Sequence, residues 1–175
     1  MNPLSARLAS AILHGDCLDR LPEVPDGSVD LIITSPPYGN QRKETYGGID
    51  PDESVDWFIP RAAEFYRVLK DTGSFILIIK EHVVNGERHT YVNDLVKALI
   101  NQRWYWIDKF TWVKTNPIRG KWPNRLANAS EDCYHFTLGG HFKTGHRGSL
   151  QNRPTDHHPG QTCFTLPAGC LARPV

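Results

Sequence analysis

Apolar residues along this chain form short continuous runs that are separated by longer segments with helical spacing. The short runs predict buried strands and cover residues 11–13, 29–33, 74–79, 104–113 and 133–138. Two segments with apolar residues three and four positions apart predict helices; the first carries Phe58, Ala62, Phe65 and Leu69, and the second covers residues 91–102. Strands that alternate with helices predict an α/β fold.

Polar residues, glycine and proline set the predicted boundaries of these elements. A brief helical turn is expected at residues 18–21, ahead of Pro22. Ser54 is placed to cap the first long helix, and Pro60 must lie in the first turn of that helix or break it. The sequence Asp71-Thr72-Gly73 is expected to end the helix before the strand at 74–79.

The most informative polar segment follows the run at 29–33 and reads Thr34-Ser35-Pro36-Pro37-Tyr38. Proline has no N–H, so Pro36 and Pro37 stiffen the turn and leave backbone carbonyls without their usual partners. A hydroxyl, rigid carbonyls and an aromatic plane are thus presented at the carboxyl end of a strand, where ligands bind in open α/β sheets. Taken alone, the segment also fits a plain proline-rich turn.

These groups suit a planar aromatic amine. Ser35 Oγ and the carbonyl of Ser35 or Pro36 can accept both N–H groups of an exocyclic amine, while the lone pair of the amine turns toward an electrophile. The ring of Tyr38 can stack on the ring that carries the amine. The segment is therefore a candidate site for chemistry at such an amine.

Four segments in this order resemble the amino-DNA methyltransferases, which methylate N4 of cytosine or N6 of adenine in DNA. Residues 34–38 resemble the catalytic motif of that family, residues 14–18 and 26–32 the segments that precede it, and residues 112–117 a later motif. The catalytic motif comes early, as in the permuted branch, where the glycine-rich cofactor motif comes last. The resemblance implies an α/β, Rossmann-like, S-adenosylmethionine-dependent methyltransferase sheet that is incomplete, because the strands of the cofactor motif are missing.

The resemblance also implies roles for individual residues in methyl transfer from S-adenosylmethionine to the amine of a flipped DNA base. The implied catalytic residues are Ser35, Pro36, Pro37 and Tyr38, and the implied cofactor contacts are Asp16, Cys17 and Thr34. Asp16 could also cap the helical turn that follows it. Serine at position 35 resembles the subgroup that methylates cytosine N4. Adenine N6, an RNA or small-molecule amine, and an inactive remnant that binds DNA weakly remain alternatives.

Five polar or basic residues are candidates for DNA contact: Arg42, Lys43, Asn116, Arg119 and Lys121. The basic residues can hold phosphates, and Asn116 can line a base pocket. Solvated loop charge is the alternative interpretation of the basic residues. The formal net charge of the chain is only +1, so any DNA-binding surface has to be local.

Composition places the chain among cytoplasmic enzymes of ordinary type. It has no apolar run of about 18 residues and no signal-peptide pattern, so no membrane association is expected. The four cysteines show neither a disulfide framework nor a zinc-binding spacing, so no metal is expected.

The last part of the chain differs from the rest. Residues 1–142 are interpreted as the catalytic methyltransferase region, and residues 143–175 as an irregular tail that is truncated or frame-shifted. No glycine-rich cofactor motif is found there. We therefore expect negligible S-adenosylmethionine binding and little or no methyl transfer by this chain alone. We also expect self-association through an exposed sheet edge at 29–33.

Overall fold

The protein is described by a computed structural model at residues 11–38, 48–115 and 128–139. In chain order the elements are α1 (Cys17–Arg20), β1 (Val29–Thr34), α2 (Ser54–Val68), β2 (Leu69–Ile79), β3 (Val83–Val84), β4 (Glu87–Arg88), α3 (Tyr91–Asn101), β5 (Tyr105–Val113) and β6 (Ser130–Thr137), with short 3-10 turns at Leu21–Glu23 and Pro51–Glu53. Strands and helices alternate as the apolar pattern predicts, and the α/β class is confirmed.

The main sheet has four strands in the order β1-β2-β6-β5. Strand β1 runs parallel to β2, whereas β6 runs antiparallel to both β2 and β5. Strands β3 and β4 form a separate hairpin, whose turn residues Asn85 and Gly86 both have positive φ, as a two-residue hairpin turn of the Asn-Gly type requires.

Buried side chains of helices α2 and α3 pack against one face of the sheet and form a single core with it. Phe75, Leu77 and Phe136 project from β2 and β6 into this core and are fully buried. The ring of Phe75 lies 5.6 Å from that of Phe65 of α2 and 5.7 Å from that of Phe136, measured between centroids. These aromatic contacts fix the sheet against the helices and so hold its carboxyl edge in place.

The opposite face of the sheet carries a row of apolar side chains that remain partly or largely exposed. Leu31 and Ile33 of β1 are 52% and 38% exposed, and Phe110 and Trp112 of β5 are exposed as well. Cross-strand partners share a face, and the pairing of Ile33 with Ile76 and of Ile76 with His135 places these residues together. We call this surface the open face.

The prediction of a strand at residues 11–13 is wrong. These residues have no regular structure, and the side chain of Ile12 is 96% exposed. A strand needs a neighbour to pair its backbone groups, and none of the described strands lies beside this run.

Three boundary predictions around α2 are also wrong. Ser54 does not cap the helix; its hydroxyl donates to the Asp50 carbonyl, and a 3-10 turn leads into the helix. Pro60 lies inside the helix without ending it. The helix ends at Val68, and the following strand includes Asp71-Thr72-Gly73, because β1 pairs with β2 from Leu69 onward.

The predicted turn at 18–21, the strands at 29–33, 104–113 and 133–138, and the helix at 91–102 are confirmed within one to three residues. Among the described residues, no helix is long and apolar enough to cross a membrane.

Candidate active site

The carboxyl end of β1 meets three other chain segments at one edge of the sheet. Strand β2 ends beside it and is followed by Lys80, and β5 ends in the same direction and is followed by Lys114. Because β6 is antiparallel to both, its beginning, with Glu131, lies at this same edge. We call this region, with the Ser35–Tyr38 turn, the carboxyl edge.

The two prolines of the predicted catalytic motif are held against the helices. Pro36 is buried and Pro37 half-buried, and both line a small cavity with Trp57, Phe58 and Tyr91. This packing makes the turn after β1 rigid. Ser35 itself is exposed, so its hydroxyl and carbonyl can reach a ligand.

Tyr38 belongs to a hydrogen-bonded chain that crosses from β1 to β6. The Ser35 hydroxyl donates to the Tyr38 phenol oxygen at 3.3 Å, and the phenol donates to Glu131 Oε2 at 3.0 Å. The other carboxylate oxygen, Oε1, forms an ion pair with the Lys114 ammonium. We call these four residues the Tyr38–Glu131 network.

The environment of this network keeps the phenol protonated. Burial is the main cause that raises the pKa of Tyr38 well above its usual value; the bond from Ser35 acts in the opposite direction, and the negative charge of Glu131 raises it further. Glu131 is itself only 9% exposed, so its contacts with Tyr38 and Lys114 satisfy a carboxylate that water reaches poorly. Tyr38 is therefore a proton donor to Glu131.

Lys80 adds a second ammonium group near Glu131. Its Nζ lies 3.5 Å from the Asn128 carbonyl oxygen. Burial lowers the pKa of Lys80, and the nearby Glu131 carboxylate partly offsets that effect. The Lys80 and Lys114 ammonium groups thus both lie near the Glu131 carboxylate.

The predicted cofactor residues Asp16 and Cys17 lie at the start of α1. Asp16 caps this helix, because its Oδ1 accepts from the Leu18 N–H at 2.9 Å. Its Oδ2 pairs with Arg61 at 3.0 Å. The Leu18 N–H is the main cause that lowers the pKa of Asp16, burial opposes it, and Arg61 lowers the pKa further.

The Asp16 carboxylate still fits a donor from a ligand. Its side chain is 49% exposed, and a carboxylate has about four acceptor positions, of which the bonds from Leu18 and Arg61 use only part. Cys17 is half-buried, and burial raises the pKa of its thiol. Thr34, the last residue of β1, is half-buried beside Leu77.

The predicted DNA contacts are not placed by the structure. Arg42, Lys43, Asn116, Arg119 and Lys121 all lie outside the described residues. Their role in DNA binding stays a prediction.

Four residues at these sites were given no role in the sequence analysis: Arg61, Lys80, Lys114 and Glu131. Arg61 lies among the apolar positions of α2, and its guanidinium stacks 3.6 Å from the centre of the Trp57 ring. A lone charge on an apolar helix face could have indicated a buried ion pair. Glu131 carries no such signal, because its partner Tyr38 is 93 residues away in the chain.

The sequence profile of a family described as DNA methylase matches residues 29–160. The chain belongs to this family. The match includes the Ser35–Tyr38 turn, β2, both helices that cover the sheet, and the strand that carries Glu131.

Two curated relatives show how the family members differ. The type II methyltransferase M.PvuII of Proteus hauseri is 33% identical over 61% of this chain. The DNA adenine methyltransferase YhdJ of Escherichia coli is 42% identical over 81% of this chain. The chain spans 36% of the length of the first and 50% of the length of the second.

Solved structures confirm the predicted fold class. The PvuII DNA methyltransferase, described as cytosine-N4-specific, superposes with a TM-score of 0.59 and 28% identity, covering 71% of this chain and 48% of that protein. A protein from Thermus thermophilus, TTHA0409, solved with S-adenosyl-L-methionine, has a TM-score of 0.55 at 18% identity; the match covers 81% of this chain and 55% of that protein. The four-stranded mixed sheet is part of a methyltransferase fold.

Proposed function

We propose that this chain carries the base-methylating site of a DNA methyltransferase that transfers a methyl group from S-adenosylmethionine to the exocyclic amine of a base. The observation that carries the proposal is the Ser35-Pro36-Pro37-Tyr38 turn, held rigid at the carboxyl edge with Ser35 exposed, in a chain of the DNA methylase family. Cytosine N4 is the proposed target.

The chemistry that these residues perform is positioning. The target base leaves the duplex stack and rests against Tyr38, while Ser35 Oγ and the Pro36 carbonyl accept the N–H groups of the amine. Both acceptors hold the amine plane so that its lone pair points away from the turn. The methylated amine is acidic enough to lose its proton without a strong base.

The described residues fit the adenosyl end of the cofactor. S-adenosylmethionine supplies an electrophilic methyl group when it is bound. Asp16 has the exposed carboxylate to accept from an adenine amino group, and we propose Cys17 and Thr34 as neighbouring contacts.

The identity of the base rests on position 35. A serine hydroxyl is a neutral acceptor, and the cytosine-N4-specific PvuII enzyme is among the similar structures. Adenine N6 is the second candidate, because the relative with 42% identity is a DNA adenine methyltransferase. The same proposal includes contact with DNA by Arg42, Lys43, Asn116, Arg119 and Lys121. Because the proposed substrate is DNA, we also propose a cytoplasmic location.

Mass spectrometry of nucleosides tests the proposed base. DNA is isolated from a bacterial strain that lacks its own methylases and expresses this chain, with the Ser35→Ala variant as control. We expect N4-methylcytosine above the control. N6-methyladenine alone reverses the choice of base, and no methylated base in either strain favours the inactive, DNA-binding alternative.

We further propose that two copies of the chain associate through β1. This strand lies at one edge of the main sheet, and exposed Leu31 and Ile33 follow it on the open face. A flat apolar edge strand pairs readily with another edge. A second copy presents the same edge and so can pair antiparallel with it.

Sedimentation velocity of Ile33→Lys checks this association, because a charge on the edge strand should shift the chain toward monomer. Ile12→Lys is the matched control, since Ile12 is exposed but lies outside the sheet. Equal association of wild type and Ile33→Lys would exclude β1 as the contact.

A further inference from the structure

We propose that Glu131 and Lys114 are positioning residues that make Ser35 a hydrogen-bond acceptor for the target amine, acting through Tyr38. The inference rests on the proposed function and names two residues outside the Ser35–Tyr38 turn.

The direction of the network follows from the inventory of protons. An ionised carboxylate only accepts, whereas a hydroxyl has one proton to donate and two lone pairs. Glu131, paired with Lys114, accepts the phenol proton of Tyr38 at 3.0 Å. The phenol oxygen is then left as an acceptor, and Ser35 donates its own proton to it at 3.3 Å.

This direction determines what Ser35 offers to a ligand. With its only proton directed at Tyr38, the exposed Ser35 oxygen presents lone pairs outward. An exocyclic amine presents N–H groups and therefore needs an acceptor at this position. If the network ran in the opposite direction, Tyr38 would occupy a Ser35 lone pair and the Ser35 proton would meet the amine.

Glu131 has the properties that such a role requires. Among the described residues, it is the only carboxylate that accepts a hydrogen bond from Tyr38, and it is 9% exposed. Lys114 binds the far oxygen of the carboxylate, so the oxygen that faces Tyr38 is fixed. The neighbouring Asp132 pairs with Lys109 at 2.8 Å and takes no part in the network.

Glu131→Gln reverses the network with little change in size. The amide oxygen of the glutamine would face the Lys114 ammonium, and its NH₂ group would face Tyr38. We expect the kcat of methyl transfer to fall by about tenfold, the order expected for one hydrogen bond to the reacting group, with the KM for DNA unchanged. Tyr38→Phe should lower kcat similarly, and the double variant should be no worse than Tyr38→Phe alone.

Asp132→Asn is the matched control and should leave kcat unchanged, because Asp132 forms an equivalent lysine pair outside the network. Lys114→Met serves as a second variant if Glu131→Gln fails to fold, and should also lower kcat. An unchanged kcat in Glu131→Gln, or an equal loss in Asp132→Asn, would overturn the inference.

A measurement that needs no turnover separates this inference from the proposed function. ¹³C NMR of tyrosine labelled at Cζ, at neutral pH where the Tyr38 phenol stays protonated, reports the hydrogen bond that the phenol donates. The Tyr38 resonance should shift in Glu131→Gln and keep its position in Asp132→Asn. If the wild type transfers no methyl group, the proposed function fails and the NMR measurement alone decides. A Tyr38 resonance at the same position in wild type and Glu131→Gln would then show that the phenol does not donate to Glu131.

Discussion

A single guanidinium, that of Arg61, ties the first described helix to the longest one. It is 8% exposed, pairs with Asp16 of the α1 cap and donates to the Trp57 carbonyl at 2.7 Å. The cap at Asp16 could be predicted from the residue type and its position before a helical turn. Its partner could not, because the pair joins residues 45 positions apart and depends on how α2 packs.

Arg61→Met should reduce the free energy of unfolding by about 2 kcal/mol, since it removes charged hydrogen bonds from a buried position. Urea denaturation followed by circular dichroism measures this change. Arg88→Met is the control, because the Arg88 side chain is 49% exposed whereas that of Arg61 is 10% exposed, and exposed pairs contribute about 0–1 kcal/mol. An equal decrease in the free energy of unfolding in both variants would show that the Asp16–Arg61 pair stabilises the fold no more than an exposed pair does.

At the scale of elements, apolar runs located four of the five predicted strands, because β1, β2, β5 and β6 each bury or pair an apolar segment. The prediction of a strand at 11–13 was wrong because this run has no neighbouring strand among the described residues. The predicted border between α2 and β2 was wrong for a related reason. Residues 71–73 have turn-like sequence, but pairing of β1 with Leu69 draws the chain into the strand early.

We also predict that His135 of β6 makes the stability of the fold depend on pH. Burial lowers the pKa of His135, with Asp108 acting in the opposite direction, and the ring bonds Ser74 Oγ at 3.0 Å. The pKa of His135 in the folded state lies below the ordinary value of about 6.5. Below that pH, His135 therefore binds more protons in the unfolded chain than in the folded one. Stability is therefore full above about pH 6.5 and falls as the pH drops toward the folded-state pKa.

Melting temperatures between about pH 7.5 and pH 5 check this dependence. The decline should be smaller in His135→Gln, which has no imidazole to protonate. Ser74→Ala keeps the imidazole and should therefore retain a decline. A decline in His135→Gln as steep as in the wild type would assign the effect to other groups.

For the whole molecule, the α/β class and the family could be predicted from the sequence, and the structure adds how the carboxyl edge is assembled. The order β1-β2-β6-β5 brings Ser35, Tyr38, Lys114 and Glu131 to that edge from three strands. The turn after β1 contains the first two, whereas strand order and direction bring in the others. The predicted tail at 143–175 lies outside the described residues, so the boundary at 142 stays a prediction.

The central claim is that the turn at the carboxyl edge methylates the amine of a DNA base. The most direct test incubates the purified chain with duplex DNA and S-adenosylmethionine that carries a deuterated methyl group. Cofactor concentrations extend to the millimolar range, so that weak binding does not hide transfer, and the nucleosides are analysed by mass spectrometry. We predict deuterated N4-methylcytosine that rises with cofactor concentration and falls by about tenfold in Ser35→Ala, which removes one hydrogen bond to the reacting amine. No deuterated base at any concentration, or equal amounts from wild type and Ser35→Ala, would contradict the claim.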